Sequence, residues 1–419
     1  MVPTLGESMD MRASVGSPGM AVAARLSVMM LMEFVVFGAW FATLGLVLAQ
    51  HGLGAIIGQA YLLSAIAAIL SPLLLGAIGD RYLAPRTVLA LTHLAGAVLM
   101  ALLPGAVTAG DGQRTLGLIF AYMLLFQPTL GLVISIALTT LGEQSARFPY
   151  VRVFAPLGWV VAGVLVGGLG LSASTGVFHV AAVVGVVLGL YALTLPGSRP
   201  QVRGARFSLG DVIGIKALAL FRERSFAVLM LCALMTSISL GVYNAFASTY
   251  VAALGVNNVA GVLALGQASE VLFVVTIPWV LARIGIKWAL LAGMGMWGVR
   301  FMLFAMATHG ATGLAVLGVA LHGICNDYFI IIAAMYISRI APVDLQAQAQ
   351  SWLTLMISGF GQAIGSGVGG AIYAARVVPN ASLGPAAWTP LWQLPIALAL
   401  CTALVWSLFF RPAADPENT

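Results

Sequence analysis

Residues 196–224 read PGSRPQVRGARFSLGDVIGIKALALFRER, the longest polar stretch in a chain that is 61% apolar and only 8% charged. A soluble globular chain carries about 25% charged and 45–50% apolar residues. A chain so poor in charge cannot cover a water-facing surface without leaving large apolar patches. These proportions exclude a soluble enzyme, a nucleic-acid binder and a disordered protein, and leave a polytopic membrane protein. A crossing helix needs about 20 mostly apolar residues, so the chain has room for about a dozen with short loops.

Outward from this stretch, apolar runs recur in equal number on both sides. Upstream they lie at 24–50, 55–79, 86–105, 115–140, 152–172 and 176–195, and downstream at 225–254, 258–283, 287–308, 311–340, 346–375 and 388–410. The expected fold is an all-α membrane protein with twelve transmembrane helices in two six-helix bundles. The bundles span 24–195 and 225–410, joined by the 196–224 linker, with a disordered N-terminal tail at 1–23 and a C-terminal tail at 411–419. Two six-helix halves on a basic linker are the layout of a transporter built from parallel repeats. No basic-then-apolar signal peptide opens the chain, so the first run reads as a retained helix. Of the 19 Lys and Arg residues, only Arg114, Arg300 and Arg376 fall away from the linker side of the expected spans. Basic loops stay cytoplasmic, which predicts both termini and the linker there.

After the second run comes Gly76-Ala77-Ile78-Gly79-Asp80-Arg81, followed by Arg86. Small residues let helix ends approach closely, and Asp80 beside basic groups can form a charge relay with a gating or structural role. A Gly followed four residues later by Asp-Arg resembles the signature loop of the major facilitator superfamily. The matching loop of the second half, Arg283-Ile284-Gly285-Ile286-Lys287, keeps the basic charge and lacks the acid.

Ionisable groups at bilayer depth are costly and mark pathways. Glu33, Glu270, Arg300 and Asp327 stand inside apolar runs, and Arg152 opens the fifth. Arg300 reads more readily as half of a buried structural pair than as a solute contact. Helical spacing groups the charges with other side chains: Gln267 with Glu270; Arg152 with Pro156 and Trp159; His322 with Asn326, next to Asp327; and Glu33 with Phe37 and Trp40. Tyr243, Asn244 and Ser248 add polar groups to the seventh run. Amides and carboxylates among aromatic faces suit a polar, planar ligand better than an ion alone. Gly361, Gly365 and Gly369 form a small-residue stripe that could ease rocking of one half on the other. Three cysteines and five histidines make no ligand spacing, so no metal, no cofactor and no enzymatic activity are expected.

Several strings are more specific than the loop. Gly266-Gln267-Ala268-Ser269-Glu270-Val271-Leu272-Phe273, Gln127-Pro128-Thr129-Leu130-Gly131-Leu132, Arg152-Val153-Phe154 with Gly158-Trp159, Arg300-Phe301, His322-Gly323 with Asp327-Tyr328-Phe329, and Gly359-Phe360-Gly361 resemble segments of the nucleoside:proton symporters. The likeness runs from about residue 25 to about residue 410. It implies uptake of nucleosides with protons by alternating access, in a bacterial inner membrane. The implied partners are the nucleoside, the proton and the lipid bilayer, with no nucleic acid and a monomeric chain. Carried over by position, it implies substrate binding by Arg152, Asn244, Gln267, Glu270, His322 and Asp327, joined by Trp159, Asn326, Phe37 and Trp40 from the helical stripes. Glu270, Asp327 and Glu33 are the candidate proton carriers, since desolvation disfavours the charged form of a carboxylate. Pro156, Gly241 and Asn326 depart from the family pattern, as does Glu33 where several members carry Gln, and such changes are expected to shift base preference or to move the substrate outside nucleosides. On the residues alone, another small polar solute such as a sugar, or a non-transporting sensor, stays open.

Overall fold

The computed structural model describes residues 18–196 and 214–411, with the backbone alone at 18–19 and 72–82. The first half runs through α1 (Pro18–Phe41), α2 (Leu44–Gln50), α3 (Ile57–Tyr82), α4 (Pro85–Thr108), α5 (Gly112–Leu141), α6 (Phe148–Arg152), α7 (Phe154–Gly168) and α8 (Gly176–Thr194). The second half runs through α9 (Arg224–Ala253), α10 (Val259–Val274), α11 (Ile277–Ala307), α12 (Thr312–Ala320), α13 (His322–Asn326), α14 (Ile332–Ile340), α15 (Gln346–Thr354), α16 (Gln362–Ile372) and α17 (Thr389–Phe409). Among the described residues no strand occurs. In lipid a helix satisfies its own backbone, so this is the physical expectation for so apolar a chain.

Among the described residues nine helical stretches are long and apolar enough to cross a membrane. Two of them, Gly112–Gly168 and Gln346–Phe409, run 57 and 64 residues, well beyond one passage. Val259–Val274 is apolar but shorter. The expected run 258–283 is therefore divided, because Pro278 sits in the first turn of α11, where a missing N–H costs nothing. The expected break between 283 and 287 is present inside α11, where Gly285 takes φ 70°. That is a left-handed conformation glycine adopts without a Cβ penalty. Likewise α1 begins at Pro18, inside the stretch expected as tail, while residues 1–17 and 412–419 lie outside the described residues.

Within each half the helices bury an aromatic core. Trp40 and Phe178 are fully buried in the first, as are Trp297, Phe301, Phe304 and Trp392 in the second. Between halves, α7 packs on α10, α3 on α16, and α2 on α9. These junctions use small residues. A Cβ on Gly58 would come within 2.7 Å of Gly370 Cα, and one on Gly163 within 2.7 Å of Ala264 Cβ. Leu46 N–H donates to Ser248 Oγ (3.3 Å) and Ala260 N–H to Ser172 Oγ (3.1 Å) across the same seam. All of these residues sit near the turns opposite the linker, so the halves meet at that end.

The Gly361/Gly365/Gly369 stripe does not serve this seam. Its glycines face Ser237, Ile238 and Phe246 of α9, inside the second half. The stripe packs one bundle, and Gly58, Gly163 and Gly370 make the approach between bundles. Of the linker, 197–213 lies outside the described residues. Its described end docks on α15, with Trp352 Nε1–H donating to Gly214 O at 3.0 Å. At the end of α3 the backbone alone is described for Gly76, Asp80 and Arg81, so the expected charge relay lies outside the described side chains.

Candidate functional site

A cavity of about 370 Å³ lies between the halves, within the range of about 300–1,000 Å³ usual for small-molecule sites. The first half contributes Phe34, Phe37 and Phe41 from α1, Gln127 from α5, Arg152 from α6 and Trp159 from α7. The second contributes Tyr243 and Asn244 from α9, Gln267 and Glu270 from α10, His322 and Asn326 from α13, and Gln362 from α16. One wall is aromatic: the Phe37 ring lies 4.5 Å from Phe41 and 5.1 Å from Trp159, centroid to centroid. The other is built of amides, a carboxylate and an imidazole.

Glu270 is held by helix approach. Gly323 faces the Ser269 carbonyl so closely that a Cβ there would collide with backbone. Gly323 N–H also donates to Ser269 Oγ at 2.8 Å. The missing side chain lets α13 settle on α10, which brings two groups to one carboxylate oxygen. Asn326 Nδ2–H donates to Glu270 Oε1 at 2.9 Å, and His322 Nε2 lies 3.1 Å from the same oxygen. Glu270 Oε2 keeps its acceptor capacity for another group.

Behind His322, its Nδ1 lies 2.7 Å from an Nη of Arg300, a fully buried residue. The Arg300 guanidinium stacks 3.5 Å over the Tyr243 ring centroid and 5.1 Å from that of Trp297. Arg152 lies 5.4 Å from the centroid of Phe34. Arg152 and Glu270 are the lining residues with fixed opposite charges, which suits an uncharged polar solute.

Three expected site residues lie elsewhere. Trp40 is fully buried against Tyr122 and Phe178 within the first half, ring centroids 5.4 and 6.2 Å away. Glu33 is also fully buried, accepting from Thr129 Oγ at 2.5 Å and facing His93 Nε2 at 2.8 Å. The reason is angular. At about 100° per residue, Phe34, Phe37 and Phe41 face the cavity, and the Glu33–Trp40 edge of the same helix turns into the bundle. Asp327 is buried and outside the cavity lining, and its Oδ2 has no hydrogen-bond partner among the described residues. It opens a π-helical turn, Asp327–Ile331, about 100° around the helix from Asn326. Arg300 is likewise outside the lining.

Two lining amides escape the sequence reading. Gln127 opens the Gln127-Pro128-Thr129-Leu130-Gly131-Leu132 string, and Gln362 follows Gly359-Phe360-Gly361. An uncharged amide in an apolar run is a weak signal, since Gln also packs without function.

The architecture is matched by known proteins. The chain is 32% identical to the putative nucleoside transporter YegT of Escherichia coli (strain K12), over 96% of both chains. It is 29% identical to xanthosine permease of the same organism, over 95% of this chain and 98% of that one. Its structure is similar to a crystal structure of the nucleoside transporter NupG, with TM-score 0.81 and 26% identity over 93% of this chain and 99% of that one. Solved peptide transporters of the POT family share the fold at 14–16% identity. The nucleoside H+ symporter family model matches residues 20–415, nearly the whole chain, and this multi-pass membrane protein belongs to that family.

Proposed function

We propose that this chain takes up nucleosides together with protons, by alternating access of two six-helix bundles, 24–195 and 225–410, through twelve passages. The observation that carries the reading is Glu270, a carboxylate on a cavity between the halves with Oε1 engaged by two donors. A nucleoside offers vicinal hydroxyls that can donate to Glu270 Oε2, and base edges that Gln267, Asn244 and Gln362 can pair with. Phe37 and Trp159 offer faces for the planar base. With Glu270 ionised the two lining charges balance in the empty carrier, and an uncharged solute adds none.

Coupling follows from differential stability. With Glu270 protonated and no solute bound, the closed cavity holds an unbalanced Arg152 cation and a carboxyl O–H without an acceptor, which is costly at low dielectric. A bound nucleoside, whose hydroxyl oxygens accept from the protonated carboxyl, lowers that cost. Loaded carrier then crosses more easily than half-loaded carrier. The family relationship and the distribution of Lys and Arg support a bacterial inner membrane with both termini in the cytoplasm. One chain supplies every wall of the cavity, which supports action as a monomer.

The test is uptake into proteoliposomes, with purine and pyrimidine nucleosides in parallel and an inward proton gradient. Accumulation that collapses with a protonophore is expected. Accumulation indifferent to the gradient removes proton coupling, and competition by sugars as strong as by nucleosides removes the substrate class.

A further inference from the structure

Arg300, His322 and Glu270 form a linear chain from α11 through α13 to α10, with contacts of 2.7 and 3.1 Å. A guanidinium has only donors. At 2.7 Å from it, His322 Nδ1 must be the acceptor and carries no proton. The one proton of the ring then sits on Nε2, where it points at Glu270 Oε1. The doubly protonated ring would set N–H against N–H.

We propose that Arg300 is a positioning residue that keeps His322 neutral, so that His322 carries no transported proton and the exchangeable proton of this cluster resides on Glu270. This rests on the transport reading above. The buried cation is flanked by the Tyr243, Trp297 and Phe304 rings, and its Nε and second Nη have no hydrogen-bond partner among the described residues. The groups facing His322 are Tyr243 from α9, its ring stacked at 5.5 Å, Glu270 from α10, and Arg300 from α11. Cys325, Asn326 and Asp327 follow on its own segment, and α12 carries no titratable group. Arg152 lies on the same cavity from the opposite half. Arg300 is the one cation within hydrogen-bond reach of the ring among the described residues.

Removing it has a signed consequence. In Arg300→Met, His322 Nδ1 loses the donor that occupies it and is free to bind a proton. A cationic His322 pairs with Glu270 and holds the carboxylate ionised to lower pH. The external pH for half-maximal uptake is expected to move acidwards by about one unit.

The decisive variant is His322→Gln, whose carbonyl can accept from Arg300 and whose amide can donate to Glu270, and which cannot titrate. Uptake is expected to fall about three- to tenfold through poorer fit, yet stay proton-driven with the wild-type pH profile. The double variant Arg300→Met/His322→Gln is expected to lack the acid shift of the single one, which separates the effect from loss of fold. The proposal is overturned if His322→Gln loses gradient-driven uptake while nucleoside counterflow persists, or if the double variant keeps the acid shift. Failure of wild-type nucleoside uptake instead sinks the transport reading alone.

Discussion

Asn244 Nδ2–H donates to Gln362 Oε1 at 2.9 Å, tying α9 to α16 on the wall of the cavity. The pair leaves Asn244 Oδ1 and both Gln362 N–H groups for a solute, an acceptor beside donors, as a base edge requires. Gln362→Leu is expected to raise KM by about 5- to 100-fold, the effect of leaving a buried polar partner unmade. Gln362→Glu, which still accepts from Asn244 but offers no donors, is expected to change the ranking of nucleosides. Competition of uridine uptake by a nucleoside panel measures both, and an unchanged ranking would remove Gln362 from base recognition.

Glu270→Gln keeps size and two of the polar contacts but cannot cycle a proton. Wild-type uptake is expected to rise as the outside becomes more acidic. The variant is expected to lose concentrative uptake altogether and show a flat pH response, while still exchanging nucleoside down its gradient. Counterflow alongside gradient-driven uptake distinguishes the two, provided the variant reaches the membrane in normal amount.

Glu33 is expected to act through stability. Its two oxygens engage Thr129 and His93 in the interior of the first half, outside the cavity lining. Glu33→Leu strands both partners, which costs about 1–3 kcal/mol for each buried group and lowers the unfolding temperature in detergent. Glu33→Gln can serve Thr129 still and is expected to be much milder. If Glu33→Leu abolished coupled uptake at unchanged thermal stability, Glu33 would regain a place among the proton carriers.

Gly58 and Gly370 let α3 and α16 touch at the end opposite the linker. Gly58→Val is expected to wedge that seam open and to cut uptake by at least about tenfold, since overpacking costs about 1–3 kcal/mol or more. A cysteine introduced by Ala260→Cys in the same seam would then label faster with a membrane-impermeant thiol reagent. Gly365→Ala, set against Ile238 within one bundle, is expected to lower thermal stability without that gain in labelling.

Composition and apolar period were enough to determine a helical membrane architecture, because lipid permits few other ways to satisfy a backbone. Local strings were enough to point to the family and to Arg152, Asn244, Gln267, Glu270, His322 and Asn326, since a polar group stranded in an apolar run is conspicuous. What sequence spacing could not decide was which side of a helix faces which neighbour. Glu33 and Trp40 belong to the same stripe as Phe37 by period, yet a rotation of a few tens of degrees sends them into the bundle. The partners were also beyond reach. His93 lies sixty positions from Glu33 and Gln362 lies 118 from Asn244, and Arg300 gains its meaning only when α11 brings it to His322. Such contacts arise from three-dimensional packing of glycine-lined surfaces, a property of pairs of helices that no single run of residues encodes.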